Sequence, residues 1–101
     1  LMNKVKSASE STGEKVWEFP LWPEFCKQIK SEIADVKNMG IPPQAGTIAG
    51  GAFLKEFVDS KIPWVHFDIA GTAWGVKPDS VNPKGSATGV GVRLVLDMFG
   101  V

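Results

Sequence analysis

The stretch 63–74 reads PWVHFDIAGTAW and joins an aromatic, β-branched run to a series of small residues. The run at 64–70 predicts a β-strand, because branched and aromatic side chains fit a pleated, half-buried surface. Alternate residues of a strand share a face, so His66 and Asp68 would point to the same side. One strand cannot form a sheet alone, so its hydrogen-bonding partners are expected to lie partly outside this chain.

Helical periodicity is predicted on both sides of this strand. Four segments repeat apolar residues at steps of three and four, the spacing of an amphipathic helix. They are 1–8, 23–40, 44–60 and 89–99. Ile33 lies on the predicted apolar face of the second segment, and the predicted apolar side of the last consists of Val92, Val95, Leu96 and Phe99. Pro42 and Pro43 would stop the second of them, whereas 75–85 has no apolar rhythm and predicts a loop. We therefore expect an α/β fold, with several helices packed on a few strands of an incomplete sheet.

Length and composition limit the class of protein. The 101 residues suit one domain, and eleven basic side chains balance eleven acidic ones. This balance gives no electrostatic basis for binding nucleic acid or an anionic membrane. Cys26 is the single cysteine, so no intrachain disulfide can form and an intracellular origin is favoured. No apolar run reaches the ~20 residues of a membrane helix, and the first helix starts without a cap, as in a piece of a longer protein.

His66 and Asp68 are the first candidates for chemistry. Together they could ligate a metal or form a histidine–carboxylate pair. A metal site needs three or four ligands, however, and His66 is the sole histidine of the sequence. A serine nucleophile would need a G-x-S-x-G elbow, which the sequence lacks. A structural, hydrogen-bonded role for both residues is therefore the favoured interpretation.

The segment 85–91, GSATGVG, has the glycine content of a phosphate-binding loop before a predicted helix. It lacks the Gly-Lys-Ser/Thr ending of a Walker loop, and no strand leads directly into it as in a dinucleotide-binding fold. Thr88 or Ser86 is expected to cap the helix instead. The four tryptophans are interpreted as packing residues, since no basic groove accompanies them.

Five segments resemble M17 leucyl aminopeptidases in their order and spacing. They are VWEFPLWPEF, SEIADVKNMG, AGTIAGGAFLKEFV, PWVHFDIAGTAW and KGSATGVGVRLVLD, and the resemblance extends from Gly13 to Phe99. The fourth segment is similar to the family's W-a-H-l-D-I-A-G run and is the most specific of the five. The resemblance implies that residues 1–101 are the C-terminal portion of a peptidase catalytic domain.

That resemblance implies a hydrolase that removes N-terminal residues, preferably leucine, from peptides. Two divalent metal ions, zinc, manganese or magnesium, would serve catalysis in the full-length protein. Their ligands, a lysine and the acids of an N-T-D-A-E-G-R-L segment, lie upstream in the family, as does the catalytic arginine, so no catalytic residue and no metal ion is expected in this chain. Family members are cytoplasmic hexamers, which implies peptide substrates and self-association, without nucleic acid or membrane partners.

Substrate contacts are implied for two alanines. In the family, the alanine of the D-I-A-G run and the residue three positions later line the pocket for the substrate's N-terminal side chain. These positions are Ala70 and Ala73 here. His66 and Asp68 would support this wall without taking part in catalysis. The sequence IPPQAGTIAGG at 41–51 departs from the family's usual glycine, arginine and alanine residues, which leaves the geometry of that turn open.

Two other functions are alternatives to an aminopeptidase segment. The chain could be a non-catalytic binding or assembly module that retains this half of the fold. It could also be an independent small-ligand protein that uses the surface of Ala70 and Ala73. A ligand site normally brings together several polar groups, and only His66 and Asp68 are candidates for that role.

Overall fold

The computed structural model describes residues 1–38, 45–74, 77 and 83–101. The proline stop predicted at 42–43 and most of the loop predicted at 75–85 lie outside these residues. The helices in this part of the chain are α1 (Met2–Thr12), α2 (Pro23–Lys27), α3 (Gly46–Lys55), α4 (Ala70–Ala73) and α5 (Val92–Phe99). They belong to two compact units, of which the first contains Leu1–Trp17 and Phe67–Val101 and the second contains Glu18–His66.

Helices α1 and α5 pack against each other in the first unit. Val5 and Ala8 are both buried and lie on one face of α1, as the helical period requires. Leu94 is the buried residue of α5, and burying such a side chain stabilises a fold by about 2 kcal/mol. Helix α1 ends at Gly13, whose left-handed φ of 73° suits glycine and whose N–H donates to the Ser9 carbonyl. The predicted opening helix is confirmed.

Helices α2 and α3 pack against each other in the second unit. Pro23 is the first residue of α2, where its missing N–H would be unpaired in any case. The buried apolar residues of this unit are Ile29, Ala49 and Ala52. Gly51 of α3 is also buried, and a Cβ added there would lie 3.7 Å from Cδ2 of His66. Small residues on this face of α3 therefore allow the imidazole to lie close to the helix.

The strand predicted over 64–70 is not formed. Residues 64–69 have no regular secondary structure, and Ala70 begins α4. A strand needs backbone hydrogen bonds to a partner strand. The described ranges of the chain contain no strand that could be that partner. The incomplete sheet of the expected α/β fold is therefore not confirmed, and what the structure describes is helical or irregular.

The long helix predicted over 23–40 is wrong for the described residues beyond Lys27, since α2 has only five residues. The Ser31 hydroxyl accepts hydrogen bonds from the N–H groups of Ile33 and Ala34 at 3.3 and 3.2 Å. Such bonds to a nearby serine offer the backbone an alternative to the helix. Ile33, which the apolar periodicity assigned to a buried face, is 97% exposed.

Helix α5 confirms the last predicted helix but buries a different face from the one expected. Leu94 is buried, whereas the predicted apolar side is exposed at Val92, Val95, Leu96 and Phe99. These four side chains recur at helical spacing and form one continuous apolar face, which we call the outer face of α5. No helix in the residues covered by the structure is long and apolar enough to cross a membrane.

Candidate functional site

Ala70 and Ala73, the two predicted pocket residues, are the first and last residues of the single-turn helix α4. The Ile69 carbonyl closes this turn, because it accepts the N–H groups of Thr72 and Ala73 at 2.9 and 2.7 Å. Residues three positions apart share a face of a helical turn. Ala70 is exposed and Ala73 is half-buried. The structure therefore brings the two predicted residues together on one short element, although that element is a turn and not a strand end.

A second segment is hydrogen-bonded to the C-terminal end of α4. The Thr88 hydroxyl donates to the Thr72 carbonyl at 2.8 Å, and the Thr88 N–H donates to the Ala73 carbonyl at 3.3 Å. The same hydroxyl accepts the N–H of Val90 at 3.3 Å. Thr88 thus uses its hydroxyl as donor and acceptor at once and joins α4 to the loop that precedes α5.

The N-terminus of α5 is capped by Glu14, a residue distant in sequence. Oε2 of Glu14 accepts the N–H groups of Gly91, the N-cap, and Leu94 at 2.9 and 3.2 Å. Oε1 of Glu14 lies 3.4 Å from Nε of Arg93, and the glutamate side chain is only 8% exposed. A carboxylate at this position is favoured by the helix dipole and forms charge-assisted hydrogen bonds. Glu14 therefore fixes the start of α5.

The prediction that Thr88 or Ser86 caps α5 is therefore wrong. The N-cap position is Gly91, which has no side chain, and the Ser86 hydroxyl donates to the Pro83 carbonyl at 2.7 Å. A glycine N-cap without an acidic residue in the first turn is the one signal in the sequence that the helix needs an acceptor from elsewhere. Glu14, 77 residues before Gly91, could not be identified from that signal.

His66 and Asp68 occupy different environments. The His66 ring stacks on that of Trp64, with centroids 6.3 Å apart and planes at 11°. Asp68 is exposed and belongs to the first unit. Residues 1–38, 45–74, 77 and 83–101 contain no group of three or more His, Cys, Asp or Glu side chains able to hold a metal. The described residues therefore offer no ligand set for a metal centre, whose ligands the family resemblance assigns to residues upstream of this chain.

Comparison with known proteins connects the chain to one family. The model of the cytosol aminopeptidase family, catalytic domain, matches residues 1–96. Probable cytosol aminopeptidases from Syntrophotalea carbinolica and Cenarchaeum symbiosum are 55% and 50% identical to the chain over 99 and 95 residues. These alignments cover 98% and 91% of this chain but 19% of each relative. The chain thus spans about a fifth of the length of the curated relatives it matches.

A solved structure agrees with the sequence comparisons. A mutant of tomato leucine aminopeptidase matches the chain with a TM-score of 0.81 and 38% sequence identity. The match covers 96% of this chain and 18% of the tomato protein. The family resemblance carried by the five segments is confirmed. With residues 1–96 matched and relatives at about half identity, the chain belongs to the cytosol aminopeptidase family and corresponds to part of its catalytic domain.

Proposed function

We propose that this chain is the C-terminal portion of a leucyl aminopeptidase, which hydrolyses the N-terminal residue from peptides, and that it supplies one wall of the substrate pocket. Membership of the cytosol aminopeptidase family supports the activity, and one structural relative is a leucine aminopeptidase. The observation that carries the pocket assignment is α4, where Ala70 and Ala73 share one turn. We call the full-length protein that contains this chain the parent enzyme.

The wall formed by Ala70 and Ala73 suits a bulky apolar substrate side chain. Alanine is small enough to leave space for a leucyl group, and α4 contains no charged residue. Complete burial of a leucyl side chain favours binding by about 2 kcal/mol. A charged substrate side chain would instead lose hydration without gaining a partner from α4. The composition of the turn thus favours leucine over charged residues.

Catalysis by the parent enzyme is proposed to need two divalent metal ions, zinc, manganese or magnesium, held by residues outside this chain. The contribution proposed for this chain is binding and scaffolding, because the family resemblance places the metal ligands and the catalytic arginine upstream of it. A cytoplasmic location is proposed from the name of the relatives, cytosol aminopeptidase.

The activity is tested by the release of leucine from leucyl amide with added manganese. The parent enzyme is expected to release leucine, and the 101-residue chain alone is expected to release none. The two proteins are assayed at equal molar concentration, with and without a chelator. An inactive parent enzyme would favour the alternative of a non-catalytic binding or assembly module. Metal-dependent turnover by the chain alone would contradict the proposed division of roles.

Self-association of the chain is proposed from the outer face of α5, and the parent enzyme is proposed to be a homo-oligomer. Burying an exposed apolar residue such as Phe99, which is 76% exposed, favours association. Sedimentation velocity over a dilution series should show the chain shifting from oligomer to monomer. Phe99→Glu should weaken association at least about tenfold, because an unpaired charge is costly to bury.

The matched control for this prediction is Ile33→Glu, which removes an exposed apolar residue of the second unit. It is expected to leave the association constant within about twofold of that of the unsubstituted chain, since Ile33 is not part of the outer face of α5. A chain that remains monomeric at every concentration would contradict the proposal.

A further inference from the structure

We propose that Thr88 is a positioning residue for substrate selectivity, which sets the place of the Ala70–Ala73 wall. Its hydroxyl and its N–H donate to the carbonyls of Thr72 and Ala73, the last two residues of α4. The inference rests on the proposed function, because it concerns the same wall. It adds to that function a residue that does not itself need to touch the substrate.

The need for such a residue follows from the length of α4. The last carbonyls of any helix receive no hydrogen bond from an N–H of the same helix, and α4 has only four residues. A single turn is also too short to be stable by its own hydrogen bonds. Bonds from Thr88, 16 residues away in sequence, satisfy both terminal carbonyls of the turn. The position of Ala73 therefore depends on the loop that carries Thr88.

That loop is itself fixed at two points. The Thr88 hydroxyl accepts the N–H of Val90, which restricts the directions in which it can donate its own proton. One residue further on, Gly91 donates to the buried carboxylate of Glu14. The chain from Glu14 through the start of α5 to Thr88 thus connects the wall to a packed helix. Supported in this way, the Ala70–Ala73 wall stays at a fixed distance from the bound substrate.

The consequence for catalysis is a selectivity that depends on the size of the substrate side chain. A leucyl side chain reaches the wall, whereas the methyl group of an alanyl substrate is too short to do so. If the Thr88 hydroxyl is lost, α4 moves or fluctuates and the leucyl contact weakens. The reacting atoms are elsewhere, so KM for leucyl substrates should change more than kcat.

The test compares Thr88→Val and Thr88→Ser in the parent enzyme, with leucyl and alanyl amides as substrates. Valine has nearly the shape of threonine but no hydroxyl, and serine retains the hydroxyl. For Thr88→Val we expect KM for leucyl amide to rise about fivefold, the loss of one hydrogen bond, with kcat changed by less than about twofold. KM for alanyl amide should remain within about twofold. Thr88→Ser should restore the leucyl KM.

Thr47→Val is the matched control, because it makes the same exchange of threonine for valine at an exposed position of α3. Thr47 belongs to the second unit, whereas α4, Thr88 and Glu14 belong to the first, so selectivity should not change. Ala73→Trp in the same enzyme tests the wall directly. If Ala73→Trp raises the leucyl KM and Thr88→Val does not, Thr88 has no positioning role and the proposed function stands.

The remaining outcomes also decide the question. If neither Ala73→Trp nor Thr88→Val changes the leucyl KM, the wall assignment is wrong and the role of Thr88 falls with it. If Thr88→Ser raises the leucyl KM as much as Thr88→Val, the hydroxyl is not the determinant and the inference is overturned. Equal rises in KM for leucyl and alanyl amides would overturn it as well, since they would indicate general damage to the enzyme.

Discussion

Replacing Glu14 with alanine is expected to weaken the start of α5 by about 2 kcal/mol. The substitution removes the acceptor for the N–H groups of Gly91 and Leu94, and it removes a negative charge from the positive end of the helix dipole. Hydrogen exchange of these two amides in the chain measures the effect. Their protection should fall about 30-fold, the factor that corresponds to this free energy.

Two variants separate the cap from other effects of the substitution. Glu14→Gln keeps an acceptor but loses the charge, so about half of the loss of protection is expected. Glu10→Ala replaces an exposed glutamate of α1 and should change stability by less than about 0.5 kcal/mol. Unchanged protection of Gly91 and Leu94 in Glu14→Ala would show that the cap is not formed in solution. An equal loss of protection at these amides in Glu10→Ala would show that the effect comes from destabilising α1 in general.

The parts of the fold that the sequence predicts well are those determined by local pattern. The helices at the two ends of the chain follow apolar periodicity, and Gly13 ends α1 through its left-handed backbone. The helix predicted over 23–40 ends at Lys27, and beyond it Ser31 bonds to the nearby backbone. Periodicity counts apolar positions and does not register this competition, nor the 97% exposure of Ile33.

The prediction of a strand over 64–70 rests on residue type, which is a weak criterion without a pairing partner. β-Branched and aromatic side chains suit a sheet, but the sheet exists only if another strand supplies its hydrogen bonds. The chain spans 19% of the relatives' length, and its described residues supply no strand that could pair with 64–70.

In the candidate site, too, residues of a local motif could be predicted, whereas residues that act through long-range contacts could not. Ala70 and Ala73 could be selected from the D-I-A-G run by its resemblance to the family, and the structure places both on α4. The residues that support that turn, Thr88 and Glu14, could not be identified from the sequence. Thr88 bonds to a residue 16 positions away, and Glu14 bonds to one 77 positions away. Hydrogen bonds between such distant residues leave no periodic signal in a single sequence.

Ala73→Trp in the parent enzyme is expected to raise KM for leucyl amide about 30-fold, which corresponds to losing the full burial of a leucyl side chain. The indole would fill the space that the half-buried alanine leaves beside the substrate. The content of divalent metal per subunit should stay unchanged, because the described part of this chain provides no metal-binding group. Steady-state kinetics with leucyl amide and metal analysis of the purified protein measure the two quantities.

Alanyl amide and Ala34→Trp provide the controls for this prediction. With the proposed pocket assignment, an alanyl side chain is too short to reach the wall, so its KM should rise by less than about twofold in Ala73→Trp. Ala34 is exposed in the second unit, and a tryptophan there adds the same bulk away from α4. Unchanged leucyl kinetics in Ala73→Trp would remove Ala73 from the pocket. A loss of bound metal would instead mean that α4 supports the catalytic centre, and the effect on KM could then no longer be attributed to the size of the pocket.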